Sequence, residues 1–123
     1  MSRQTGAAGQ AADDNSFEPS IDKSGDRIAF LSAAGNLGAG HQALGDFQTY
    51  MRTISSARTD LVSRANGLNG APIDHPGFGA VSLSSDGGCA AFSARGLNIG
   101  DGFANAVLAG VHLRAIGSSC AGP

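Results

Sequence analysis

Short apolar runs separated by clusters of Gly, Asp, Ser and Asn set the rhythm of this chain. Residues 2–16 are Gly, Ala, Gln and Asp without periodicity and read as a connecting loop. Phe17 to Asp22 is a short run that ends in Lys23-Ser24-Gly25-Asp26, which holds the Gly and Asp that a hairpin reversal demands. Arg27 to Ala33 follows, and its Ile28-Ala29-Phe30-Leu31 is apolar without alternation. Such a run, bounded by turn signals, predicts a strand covered on both faces. Further on, Cys89-Ala90-Ala91-Phe92 plays the same part after Asp86-Gly87-Gly88.

Leu44 to Leu61 carries two readings. Phe47, Tyr50, Met51, Ile54 and Leu61 fall at helical spacing. Thr49, Tyr50, Thr53 and Ile54 favour strands, giving Gln48 to Ile54 and Thr59 to Ser63 joined by Ser55-Ser56-Ala57-Arg58. By itself the segment leaves the two evenly matched. The choice comes from a second copy of the pattern, because the chain repeats itself. Pro19-Ser20-Ile21-Asp22-Lys23-Ser24-Gly25-Asp26-Arg27-Ile28-Ala29-Phe30 returns as Val81-Ser82-Leu83-Ser84-Ser85-Asp86-Gly87-Gly88-Cys89-Ala90-Ala91-Phe92. Asn36-Leu37-Gly38 is echoed at the same offset, that from Phe30 to Phe92, by Asn98-Ile99-Gly100. Ser2-Arg3, Gly6 and Phe17 echo Ser63-Arg64, Gly67 and Phe78 at an offset shorter by one, the slip that a loop insertion gives. In the second copy, Ala106-Val107-Leu108 and Val111 to Ile116 read as two short strands, with Gly110 where a helix interior would lose about 1 kcal/mol. If both copies share one structure, both segments are hairpins. Each copy then holds four short antiparallel strands, a sheet that cannot bury its own faces and must stack on neighbours.

Composition adds little chemistry. Of 123 residues 19 are Gly, aromatic residues make up 6% and Trp is absent, so the chain is turn-rich and poor in large anchors. A net charge of −2, with eight basic residues scattered singly, offers no footprint for nucleic acid or an anionic membrane, and those residues read as solvated surface. No apolar run is long enough to span a membrane, and the stretch from Met1 to Ser20 shows no signal peptide. Cys89 and Cys120 are too few for a disulfide framework; the expectation is two unpaired cysteines, with pairing in an exported protein as the alternative.

No catalytic or metal site is expected, and no cofactor. His41, His75 and His112 stand apart from one another and from the cysteines, so they read as structural or solvated. Gly117-Ser118-Ser119-Cys120-Ala121 approaches a nucleophile elbow and fails at its last position. Gly35-Asn36-Leu37-Gly38-Ala39-Gly40 lacks the helix and lysine of a phosphate loop. Asp101-Gly102-Phe103-Ala104-Asn105 offers one carboxylate to a cation that wants several oxygens. Asp13-Asp14-Asn15 and Asp74-His75 occupy matching places before the first strand of each copy, where loop capping is the expected role.

The run Pro19-Ser20-Ile21, then Gly25-Asp26-Arg27-Ile28-Ala29-Phe30, Asn36-Leu37 and Leu61-Val62-Ser63-Arg64 resembles the TolB-like, WD-repeat-like β-propeller repeat, and the likeness covers nearly the whole chain as two blades. The family's Asp-Val-Phe-Val-Arg-Asp strand matches Gln48-Thr49-Tyr50-Met51-Arg52-Thr53, and more weakly Asn105-Ala106-Val107-Leu108-Ala109-Gly110. The resemblance implies an all-β fold, a partial β-propeller of two four-stranded antiparallel blades. Residues 1–15 would be an inter-blade loop, 16–64 the first blade, 65–78 a second inter-blade loop, 79–117 a degenerate second blade and 118–123 a tail. Closed propellers have about 4–8 blades, so the expectation is a piece of a longer propeller or a ring closed by several copies. It further implies a non-catalytic scaffold for protein or peptide partners, self-association through blade faces, and a periplasmic, envelope or secreted setting in a bacterium. Two alternatives are the propeller part of a hydrolase or peptidase whose catalytic domain lies outside this chain, and an oligomeric two-blade sugar-binding module. The latter wants aromatic platforms, and the chain holds a single Tyr, Tyr50.

Overall fold

The computed structural model describes residues 1–38, 47–65, 70–74, 79–95, 110–116 and 120. Every regular element among them is a strand: β1 (Ser16–Ile21), β2 (Arg27–Ser32), β3 (Gln48–Thr53), β4 (Arg58–Leu61), β5 (Ser82–Leu83), β6 (Cys89–Ala94) and β7 (Gly110–Ala115). They form two antiparallel sheets, ordered β1-β2-β3-β4 and β5-β6-β7. Over 47–61 the hairpin, not the helix, is what the chain adopts, with a turn at Ile54 to Ala57.

The turns follow from side chains that close them. Asp22 accepts hydrogen bonds from the Arg27 amide (3.0 Å) and the Ser24 hydroxyl (2.7 Å), and Gly25 takes φ +76°, where a Cβ would be strained. The β5–β6 turn repeats this construction in the second copy. Ser84 accepts from the Cys89 amide (2.9 Å) and donates to Asp86 (2.6 Å), while Gly87 takes φ +67°. The loops ahead of the sheets correspond too, at the shorter offset. The Arg3–Ala11 bridge has its counterpart in Arg64–Pro72, the Gln4 amide bond to the Gln10 carbonyl (2.9 Å) in Ala65 to Ala71 (2.8 Å), and Ala12 to Ser2 (2.9 Å) in Ile73 to Ser63 (3.2 Å). In β1 the register slips by one residue between Phe17 and Ser20, with Glu18 at φ +53°. This bulge falls beside Pro19, which has no amide hydrogen to give a ladder.

The apolar run of β2 is buried on both faces. Ala29 and Leu31 join Met51 and Val62 on one face and meet Ala90, Phe92 and Ala94 of the second sheet, with Val81 and Ile73 from the segment between the sheets. Phe30 points the other way into a second cluster with Tyr50, Leu61, Ala34 and Leu37, closed by Ala12. Phe30 and Tyr50 stack with ring centroids 6.1 Å apart. Their counterparts in the second sheet, Phe92 and His112, have ring centroids 5.9 Å apart.

Two expectations are corrected, while one of the four strands expected in the second sheet falls on residues outside the described ones; three strands are described there. The counterpart of β3 is Gly110–Ala115 rather than residues 105–110: the sheet keeps the offset of the repeat, with Ala94 paired to Gly110 and Phe92 to His112. Gly110 therefore opens a strand instead of turning one, and Ala106 to Leu108 lie outside the described residues. Cys89 and Cys120 are joined in a disulfide.

Candidate functional site

The sheets meet at one end through their turns. Arg27 at the start of β2 donates to the Gly87 carbonyl (2.8 Å), the Lys23 amide donates to the Ser85 carbonyl (2.9 Å), and the Leu83 amide donates to the Ser20 hydroxyl (3.0 Å). A Cβ on Gly87 would stand 2.5 Å from the Arg27 side chain, so the close approach needs glycine twice over, for φ and for space. At the same end, between the face of β3–β4 and the end of β7, a groove of about 630 Å³ opens. Its lining includes Arg27, Arg58 and Arg64 against one carboxylate, Asp60, with Met51 and Ile116 as apolar walls.

These cations are held differently. Arg58 is exposed and forms a 2.7 Å ion pair with Asp60. Arg64 is buried and donates to the Leu61 carbonyl. Burial, then the nearby Arg114 charge, pushes its guanidinium below the ordinary arginine range. Arg114, also lowered by burial, donates to the Arg64 carbonyl. In the first sheet Arg52, the counterpart of Arg114, holds the preceding loop through the carbonyls of Gln4 (2.8 Å) and Gly6 (3.2 Å). The expectation that the basic residues are solvated surface thus fails for Arg52, which clamps a loop, and for Arg64; both sit in the interior and donate to backbone carbonyls.

The remaining candidates fall into place one by one. Asp13 caps a loop: its carboxylate accepts from the Gly35 amide (2.9 Å), its own amide donates to the Asn36 side chain (3.1 Å), and Asn36 donates to the Ala11 carbonyl (2.8 Å). This engagement takes up Gly35 and Asn36 of the glycine-rich stretch, while Ala39 and Gly40 lie outside the described residues. His112 is buried on β7 against Phe92. Tyr50 is buried, with its phenol pushed upward by burial and the Asp13 charge, so it offers no platform to a sugar ring. His41, His75, Asp101 to Asn105 and Gly117 to Ser119 are outside the described residues. Among those described, no group of three His, Cys, Asp or Glu is placed to hold a metal, and no helix is long and apolar enough to cross a membrane.

The turn carboxylates give a pH dependence. The Ser24 hydroxyl first, then the Arg27 amide, holds Asp22 below the ordinary carboxylate range; the Ser84 hydroxyl and the Gly88 amide do the same for Asp86. A folded-state pKa below the unfolded one stabilises the fold above the unfolded value, and the gain is lost as pH falls through the folded value. Thermal melts taken from about pH 6 down to about pH 2 should show falling midpoints on the acid limb. Asp22→Asn should flatten that limb, and an unchanged limb would remove Asp22 from the account.

Comparison with protein-family models, with curated proteins and with solved structures finds no match to this chain. Sequence reasoning missed the groove because Arg27 and Ile116 lie far in sequence from Arg58 and Arg64, and no two of these arginines are adjacent.

Proposed function

We propose that the chain is a two-blade segment of a β-propeller of the TolB-like, WD-repeat-like kind, acting as a non-catalytic scaffold for a protein or peptide partner. Support for the blade reading comes from the turn and loop hydrogen bonds that recur, in step with the sequence repeat, in both sheets. The binding reading is carried by the groove between the sheets, where three arginines face one carboxylate above apolar walls. Such a lining suits an extended acidic segment, whose carboxylates match the guanidinium forks of Arg27 and Arg58 while its apolar side chains lie on Ile116. The Cys89–Cys120 bond supports an exported or envelope setting, since disulfides persist in oxidising compartments.

The test is fluorescence anisotropy with labelled oligoglutamate and oligolysine peptides at low salt. Oligoglutamate should bind and oligolysine should not. Arg58→Glu, on an exposed side chain, should weaken binding by about tenfold, since opposing charge is replaced by like charge at a partly desolvated site. Equal binding of both peptides, or an Arg58→Glu variant that binds as well as the parent, would remove the groove as the binding site.

A further inference from the structure

The two sheets expose apolar side chains at the positions where their counterparts are buried. On β7, Val111 is 81% exposed and Leu113 67%. Their counterparts on β3, Thr49 and Met51, are 4% and 1% exposed because the second sheet covers that face of the first. On the opposite side, Ile21 of β1 is 60% exposed, whereas its counterpart Leu83 packs into the cluster between the sheets. The chain thus carries positions of its own internal interface a second time, one set on each end of the stack: Val111 and Leu113 are uncovered on the second sheet, and Ile21 is uncovered on the first, where Phe30, the counterpart of Phe92, is buried under its own loop. Isolated apolar side chains on a surface mean little, but these are matched to a packing arrangement already used in the same molecule.

We infer that a second copy of this chain docks head to tail on the Val111–Leu113 face of β7, presenting Ile21 of its own first sheet, and repeats the turn-side part of the contact between the two sheets of one chain. Two of the three turn bonds of the internal interface keep suitable partners in this arrangement. Ser82 stands where Ser20 stands, facing the amide of the copy's Ile21 in place of Leu83, and the Ser85 amide replaces that of Lys23 toward the copy's Lys23 carbonyl. The third has no counterpart, since Cys89 replaces Arg27. Contacts of this kind are heterologous: each copy uses one face as donor and the other as acceptor, so copies add in sequence until a ring closes. This inference rests on the equivalence of the sheets and is independent of the groove.

Sedimentation velocity across a wide concentration range tests it with three proteins, each checked for strand content by circular dichroism. The parent chain should associate with rising concentration. Leu113→Asp and Ile21→Asp, both on exposed positions where a charge costs the folded monomer little, should each weaken association by about tenfold or more, because a carboxylate would be buried unpaired in an apolar contact. Mixed together, the two variants should form a dimer that neither forms alone, because each retains the face that the other has lost. A parent chain that stays monomeric at every concentration overturns the inference. So does association that survives both substitutions, or a mixture that fails to dimerise; loss with Leu113→Asp alone would mean a symmetric pairing of β7 with itself and also overturns it.

Discussion

Phe30→Ala should lower the free energy of unfolding by roughly 3–5 kcal/mol, the range for truncating a buried Phe. The residue is 4% exposed and sits in the cluster of Tyr50, Leu61, Ala34 and Leu37, on the face of the first sheet turned away from the second. The loss combines transfer of the ring to water with the cavity left under a covering loop that Asp13 and Asn36 hold in place. Domains of this size commonly have a net stability of about 5–15 kcal/mol, so the variant should retain a cooperative but much earlier transition in urea. A shift worth less than about 1 kcal/mol would place Phe30 on a surface and break the cluster.

Reducing the Cys89–Cys120 bond should have the second largest effect. The bond joins residues 31 apart in sequence, and loop-closure entropy of the unfolded chain assigns it roughly 3–4 kcal/mol. It fixes the start of β6, where Cys89 is buried, to the last described residue of the chain. Urea unfolding with and without reductant, alongside Cys89→Ser, should show the same large fall in midpoint for reduction and for substitution. Equal midpoints under oxidising and reducing conditions would mean that the bond contributes nothing to the fold.

Much of the architecture is legible in the sequence because it is written twice. Asp22 with Gly25 and Ser84 with Gly87 are local turn signals whose chemistry is contained in a few residues. The uninterrupted run at Ile28 to Leu31 signals double-sided burial for the same local reason, and the second cluster and the intersheet cluster take its alternate residues. At 47–61 local signals conflict, since Phe47, Tyr50, Met51 and Ile54 satisfy a helix; pairing of Tyr50 with Phe30 and Leu61 settles it, and that information is tertiary.

What the sequence hides is also physical. Asn105 to Gly110 attract the reading as the counterpart of β3 by apolarity alone, whereas that counterpart, β7, is placed by its ladder with β6, from Ala94–Gly110 to Cys89–Ala115. Two cysteines carry no pairing information until a fold brings them together. Arg52 and Arg64 read as surface because charge is usually solvated, yet each finds backbone carbonyls that a sequence pattern does not announce. The groove and the apolar side chains of β7 are likewise products of assembly, visible only when residues distant in sequence share a face.

The equivalence of the two sheets is most directly tested by nuclear Overhauser contacts on the isotope-labelled chain. Equivalent sheets should give cross-strand contacts between Phe30 and Tyr50, and the matching contacts in the second sheet between Phe92 and His112, with Met51 touching Ala90 or Phe92 across the sheets. Sequential helical contacts running through Tyr50, or a Phe92 ring that meets neither His112 nor the first sheet, would contradict it.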